Sequence, residues 1–234
     1  MFKGKMEEIQ FPFGEGEVDI IISEWMGYYL LYESMLDCVL WARDKYLNKK
    51  TGKMLPDRAQ IYVAAIEDSE YMHEKKSFWD NVYGVDMSIM ATSVFKDPMV
   101  DTVPTNAIMS DYCCILDIDL VKMKQEEVNF SSFYSIKMNY TDRVHALVTW
   151  FDTTFSDLTR PVCLTTSPFK KYTHWKQSVF YLDKPLDVRK GDVLYGSIAT
   201  RQDKTNFREL NVKISYHIDE KHIKKSFFQQ YKFK

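Results

Sequence analysis

The sequence predicts an α+β chain: a short strand–loop–helix segment, then a long antiparallel β region of barrel or sandwich type broken by one helical insertion. Three observations predict it. Val18, Ile20, Ile21 and Ile22 form an apolar run with the length and β-branched content of a buried strand, and Ser34–Leu47 behind it has helical spacing. From Pro56 onward the chain divides into short alternating segments separated by polar turns. Between two of these segments, residues 68–101 switch to helical spacing with several large side chains.

Each element has its own signal. In the helix, Leu36, Val39, Leu40, Arg43 (through its stem), Tyr46 and Leu47 recur at steps of three and four, and Gly52 with Pro56 marks the exit. Residues 59–66, 115–121, 133–138, 146–155, 176–181, 193–200 and 210–218 read as strands. Turns fall between them at Ser156-Asp157, Ser167-Pro168, Asp183-Lys184-Pro185, Lys190-Gly191-Asp192 and Asp203-Lys204. The insertion carries Tyr71, Phe78, Trp79, Val82, Tyr83, Met87 and Met90, too apolar to stand in water. It is either a partner surface or a cap over the end of the β region. The tail from Lys221 to Lys234, lysines among aromatics, reads as a solvated basic end.

Composition narrows the class. A hydrophobic content of 45%, with 15% aromatic, is enough for a sizeable core and excludes a disordered chain. A net charge of −2 gives no general attraction to nucleic acid or to a membrane surface, and no apolar run reaches the length of a membrane span. The opening residues MFKGKMEEIQ contain no signal-peptide core. Cys38, Cys113, Cys114 and Cys163 form no CxxC pair, and Cys and His show no metal-site spacing. Reduced thiols are expected.

The segment Val18–Met35 holds the chemistry. Glu24 and Glu33 stand nine residues apart and flank an aromatic loop of Trp25, Tyr28, Tyr29 and Tyr32. One continuous helix, at roughly 100° per residue, would send the acids to opposite faces; a bend at Gly27 lets them share a pocket. Two carboxylates in apolar surroundings repel unless a proton or a cation joins them. A guanidinium suits the role, because its planar fork of donors matches carboxylate oxygens in pairs. A glycosidase-like acid pair is a weaker alternative, since nothing else in the sequence suggests sugar binding.

The stretch SEWMGYYLLYESM closely resembles the double-E loop of the protein arginine methyltransferases, and Tyr172-Thr173-His174-Trp175-Lys176-Gln177 resembles that family's THW loop. The likeness covers nearly the whole chain and fits the type I, asymmetric-dimethylating branch best. It implies that residues 1–56 are the C-terminal part of a Rossmann-like S-adenosylmethionine methyltransferase domain. Residues 57–234 would be a β-barrel substrate domain, with a dimerisation arm at about 68–101. By the same resemblance Glu24, Glu33 and His174 are catalytic, and Trp25, Tyr28, Tyr32 and Trp175 contact the substrate arginine. Lys5, Met6, Glu7, Met35 and Cys38 would line the S-adenosylmethionine site, and Trp79, Tyr83 and Met87 would build the arm of a homodimer. Substrates of the histone and Gly-Arg-rich RNA-binding protein kind are implied, in nucleus and cytoplasm, with no direct nucleic-acid or membrane contact. The Gly-rich turn of a nucleotide domain is not in this sequence, and Gly14-Glu15-Gly16 does not match it. The chain therefore reads as an N-terminally truncated member of the family that lacks the main cofactor-binding motif, its activity alone left open. The alternative is a non-catalytic barrel-and-arm module that binds arginine-rich proteins or a full-length copy.

Overall fold

A computed structural model describes residues 1–218 and 226–234. Strand β1 (Ile20–Ile22) pairs in parallel with β2 (Lys53–Leu55), and helix α1 (Met35–Tyr46) lies between them in sequence. The isoleucine run is a strand, as its β-branching dictates, but not a buried one: Ile22 is 76% exposed. Its one ladder partner among the described residues is β2, and that ladder, with the stiff χ1 of β-branched side chains, holds it extended. On α1, Leu36 and Leu40 face the core and Arg43 is buried beside them. The Arg43 guanidinium stays hydrogen-bonded there, donating to the Leu120 carbonyl at 2.6 Å and pairing with Asp44.

Most of the rest of the chain is strands in two sheets. One runs β4 (Met99–Asp101), β9 (Gln177–Val188), β7 (Asp142–Phe155), β3 (Arg58–Ile66) and β5 (Cys113–Asp119), with β8 (Val162–Thr165) on β7. The other runs β12 (Phe227–Phe233), β11 (Leu210–Ile218), β10 (Val193–Gln202) and β6 (Phe130–Lys137). Ladders other than β1–β2 are antiparallel. The inward residues of both sheets share one core with α1 and the loop before it. The enclosure is barrel-like, but the ladder does not close. At one seam the Gln229 amide and the Tyr231 hydroxyl reach the Tyr181 carbonyl, at 2.9 and 2.7 Å. At the other, the Asp111 amide donates to Lys137 and Ser110 Oγ accepts from the Ala65 amide.

β12 corrects the reading of the tail as a solvated end. Residues 219–225 lie outside the described set, but Phe227, Gln229, Tyr231 and Phe233 alternate inward, with Tyr231 and Phe233 buried. Every second residue of FFQQYKF is core, and Phe228, Gln230 and Lys232 are the outward half of that period.

Gly196 shows why one strand position lacks a side chain. A Cβ there would lie 2.0 Å from the Ser215 carbonyl and 2.4 Å from the Tyr134 hydroxyl. Tyr134 on the paired strand fills that space, and its hydroxyl donates to Ser215 at 3.0 Å.

The insertion leaves the large sheet after β3. Helix α2 (Ser69–Ser77) buries Met72 in a second core cluster with Phe95, whose ring stacks on Tyr181 at 4.5 Å. Beyond α2 the chain turns at Tyr83-Gly84, both at positive φ, with reciprocal hydrogen bonds between Val82 and Val85. Tyr83 is fully exposed and Phe78, Val85 and Ile89 are exposed with it, so the insertion is anchored at its base and bare at its tip.

His145 sits under that base. Its Nδ1 accepts the Asp68 amide at 3.2 Å, so the ring is neutral; the Glu67 carboxylate at 3.6 Å is a near neighbour rather than an ion-pair partner. Burial holds its pKa below the ordinary histidine value; Glu67, Asp68 and Asp142 pull it upward and Arg143 downward. Because the folded pKa lies below the unfolded one, the unfolded chain binds the extra proton, and stability falls as pH drops through about 6.5. Thermal melts of the wild type and His145→Asn at pH 7 and pH 5 test this: the wild type should lose more between the two. Equal losses would remove His145 from the account.

Candidate active site: a two-acid hairpin docked on the sheet edge

After β1 the chain makes a tight reversal. The Gly27 amide donates to the Leu30 carbonyl at 3.0 Å, and the Leu31 and Tyr32 amides bond back to Tyr29 and Tyr28. Tyr29, Leu30, Glu33 and Ser34 all hold positive φ, an uncommon conformation for residues with a Cβ. The surroundings hold it in place. Tyr29 and Leu30 are buried, and the Tyr29 ring stacks on Phe233 and meets Phe180 edge-on. Its hydroxyl lies 3.1 Å from Thr200 Oγ1 on β10, and burial pushes its pKa well above the usual phenol value. Gly27 is required for a steric reason: a Cβ there would lie 1.9 Å from the Tyr32 carbonyl oxygen.

The two acids leave this hairpin at opposite ends. Glu24 is exposed and accepts the Met26 amide at 3.1 Å, which fixes the start of the loop. Glu33 is tied to the turn between β10 and β11. Its amide donates to the Arg208 carbonyl at 3.0 Å, and its carboxylate lies 3.6 Å from the Arg208 guanidinium. Ser34 donates to the Phe207 carbonyl and accepts from Gln202, whose amide also reaches Asp37 at 2.8 Å. Arg208 is absent from the residues that the sequence pattern singles out; it lies in a turn far along the chain, with no local motif around it.

The 172–177 loop meets the hairpin from the large sheet. Trp175 Nε1 donates to the Met26 carbonyl at 2.8 Å, and its ring packs edge-on against Phe151. His174 is exposed, its ring 3.8 Å from that of Trp175. Lys176, at positive φ, pairs with Asp101 at 3.0 Å. Of the aromatics expected to face a substrate, Tyr28 is exposed and Tyr32 is half-buried against Phe233. Trp25 is different: at 1% exposure it belongs to the core and is not a surface wall. Three polar atoms of these loops, Ser23 Oγ, Trp25 Nε1 and Thr173 Oγ1, are buried without a protein partner.

The N-terminal residues are reached only in part. Glu7 lies against Cys38, and burial first, then the Glu7 carboxylate, raise that thiol's pKa. Met35 and Cys38 are half-buried, one turn apart on α1. Lys5 is at the surface in an ion pair with Glu8, and Met6 is half-buried. Trp79 and Met87 lie in the insertion, where the Met87 amide donates to the Trp79 carbonyl; with exposed Tyr83 they form a separate surface. Two clefts, of about 1010 and 880 Å³, are lined by other residues, around His145 and between the insertion and β12.

Residues 57–221 match the family model described as the arginine methyltransferase oligomerization subdomain. The chain is 51% identical over 216 residues to protein arginine N-methyltransferase 1 of Schizosaccharomyces pombe, covering 92% of this chain and 63% of the relative. It is 43% identical over 231 residues to the protein of the same name from Dictyostelium discoideum, covering 99% and 67%. Among solved structures it is similar to a chain of the Trypanosoma brucei PRMT1 enzyme–prozyme heterotetrameric complex with AdoHcy. That match has a TM-score of 0.92 at 36% identity over 99% of this chain and 72% of that one. Arabidopsis thaliana protein arginine methyltransferase 10 gives 0.85 at 27% identity over 100% and 74%. The chain spans about three-fifths of the length of several curated relatives it matches.

Gly27→Ala tests the hairpin directly. The added methyl meets backbone, which cannot swing aside, so the loop must open. A loss of more than about 2 kcal/mol in denaturant unfolding is expected. A loss under about 0.5 kcal/mol would mean that the hairpin is not held in this form.

Proposed function

The chain belongs to the protein arginine N-methyltransferase family, and we propose that the protein it represents transfers methyl groups from S-adenosylmethionine to guanidino nitrogens of arginine in other proteins. One observation carries the reading: the Arg208 guanidinium rests 3.6 Å from the Glu33 carboxylate, so the hairpin attracts a cation of the substrate's own kind. That pair is well exposed and contributes under about 1 kcal/mol, so an incoming arginine can displace it.

The chain's own residues would act as follows. Glu24 and Glu33 hold the guanidinium by its fork of donors and draw positive charge toward the held nitrogens. The remaining nitrogen becomes richer in electrons, and a carboxylate or His174 accepts the proton that leaves it. Exposed Tyr28 and half-buried Tyr32 and Trp175 stack along the side chain. Glu7, Met35 and Cys38 would supply one wall of the S-adenosylmethionine site, a fit supported by Glu7 lying against Cys38. Bound there, the cofactor supplies an activated methyl group.

Substrates of the histone and Gly-Arg-rich type, and an asymmetric dimethyl product, belong to this reading. So does a homodimer made through Trp79, Tyr83 and Met87, supported by the bare tip of the insertion and by the family model that residues 57–221 match.

In a protein of its relatives' full length carrying this sequence, Glu24→Gln or Glu33→Gln should lower peptide methylation by well over tenfold, more than ~1.4 kcal/mol, with circular dichroism unchanged. Activity within tenfold of wild type in either variant would overturn the clamp.

A further inference from the structure

We propose that the outer face of the four-stranded sheet β6–β10–β11–β12 binds single-stranded nucleic acid. The inward residues of these strands fill the core, and the outward set has an unusual make-up. Among the described residues of the four strands, the positions that alternate to the same outward face as Phe133 include Lys137, Arg201 and Lys213 and no carboxylate. Lys232 also points outward and is held by Asp203 and Glu209 at the rim, at 3.2 and 2.7 Å. The whole sequence carries a net charge of −2, so this face concentrates cations that the average conceals.

Aromatic rings stand among the cations. One register row crosses the sheet as Phe133, Ser197, Ser215 and Phe228. Phe133 is 87% exposed and Phe228 is 64% exposed, and three strand spacings set them about 14 Å apart. Between them the serine hydroxyls lie 2.7 Å from one another, which keeps the centre of the row low. One row along, Tyr195 stacks on His217 at 5.7 Å. The Lys213 ammonium sits 6.0 Å from the Phe228 ring centre.

This pattern selects its partner. Single strands are bound by flat rings that stack on bases beside cations that track phosphates. An acidic peptide would also meet the cations, but it brings nothing flat to stack on Phe133 and Phe228, whereas a single strand offers a base to each ring. The inference is independent of methyl transfer, since neither the acids nor the hairpin takes part.

The test is fluorescence anisotropy of the purified chain with a fluorescein-labelled oligouridylate about 20 nucleotides long. Saturable binding is expected at about 50 mM salt, with log K falling against log salt at a slope of about −2, as three phosphate contacts dictate. Phe133→Ser with Phe228→Ser should weaken binding at least tenfold, and Arg201→Glu with Lys213→Glu should do so as well while flattening the slope. Both pairs point to solvent, so near-ultraviolet circular dichroism should stay unchanged. Absence of saturation, unaltered binding by the phenylalanine pair, or equal displacement by polyglutamate would each overturn the proposal. The last result would mark the face as an acidic-peptide surface.

Discussion

The structure depends on where the backbone of residues 24–34 finds its hydrogen bonds. A loop with four non-glycine residues at positive φ is costly in isolation. It persists because the barrel over-determines it. The Glu33 amide and the Ser34 hydroxyl reach carbonyls of the β10–β11 turn, and Trp175 caps Met26 from the other sheet. Tyr29 and Leu30 are driven into the common core, where Phe180 and Phe233 receive them. Apolar burial therefore fixes the middle of the hairpin, and polar contacts fix its ends.

This division explains the placement of the two acids. Residues at the ends of a hairpin whose centre is buried must emerge beside the site of burial, at the edge of the barrel. Glu24 is steadied by its own loop and Glu33 by a turn from a distant part of the chain. On the proposed reading, the exposed cation already beside Glu33 is the one that a substrate arginine would replace.

Much of this was legible in the sequence. The strand-to-helix break at Gly27, the amphipathic helix after it and the alternating strands beyond Pro56 all follow from local spacing. What escaped was non-local or two-sided. Ser34 and Phe207 are 173 residues apart, and no local pattern joins them or brings in Arg208. The tail was masked by its lysines, although its aromatics keep the period of a strand. Trp25 carries the composition of a pocket wall, yet its large apolar ring gains more from the core than from a wet surface. Net charge concealed the basic sheet face because it averages over faces that the fold separates.

Native-state hydrogen exchange of the hairpin amides tests the docking most directly. The account predicts that Gly27, Tyr32 and Glu33 exchange as slowly as the paired amides of β10 and β11, because the loop can open only when the barrel end does. Fast exchange at Glu33 with protected sheet amides would contradict it, and would mean that the acids ride on a mobile loop.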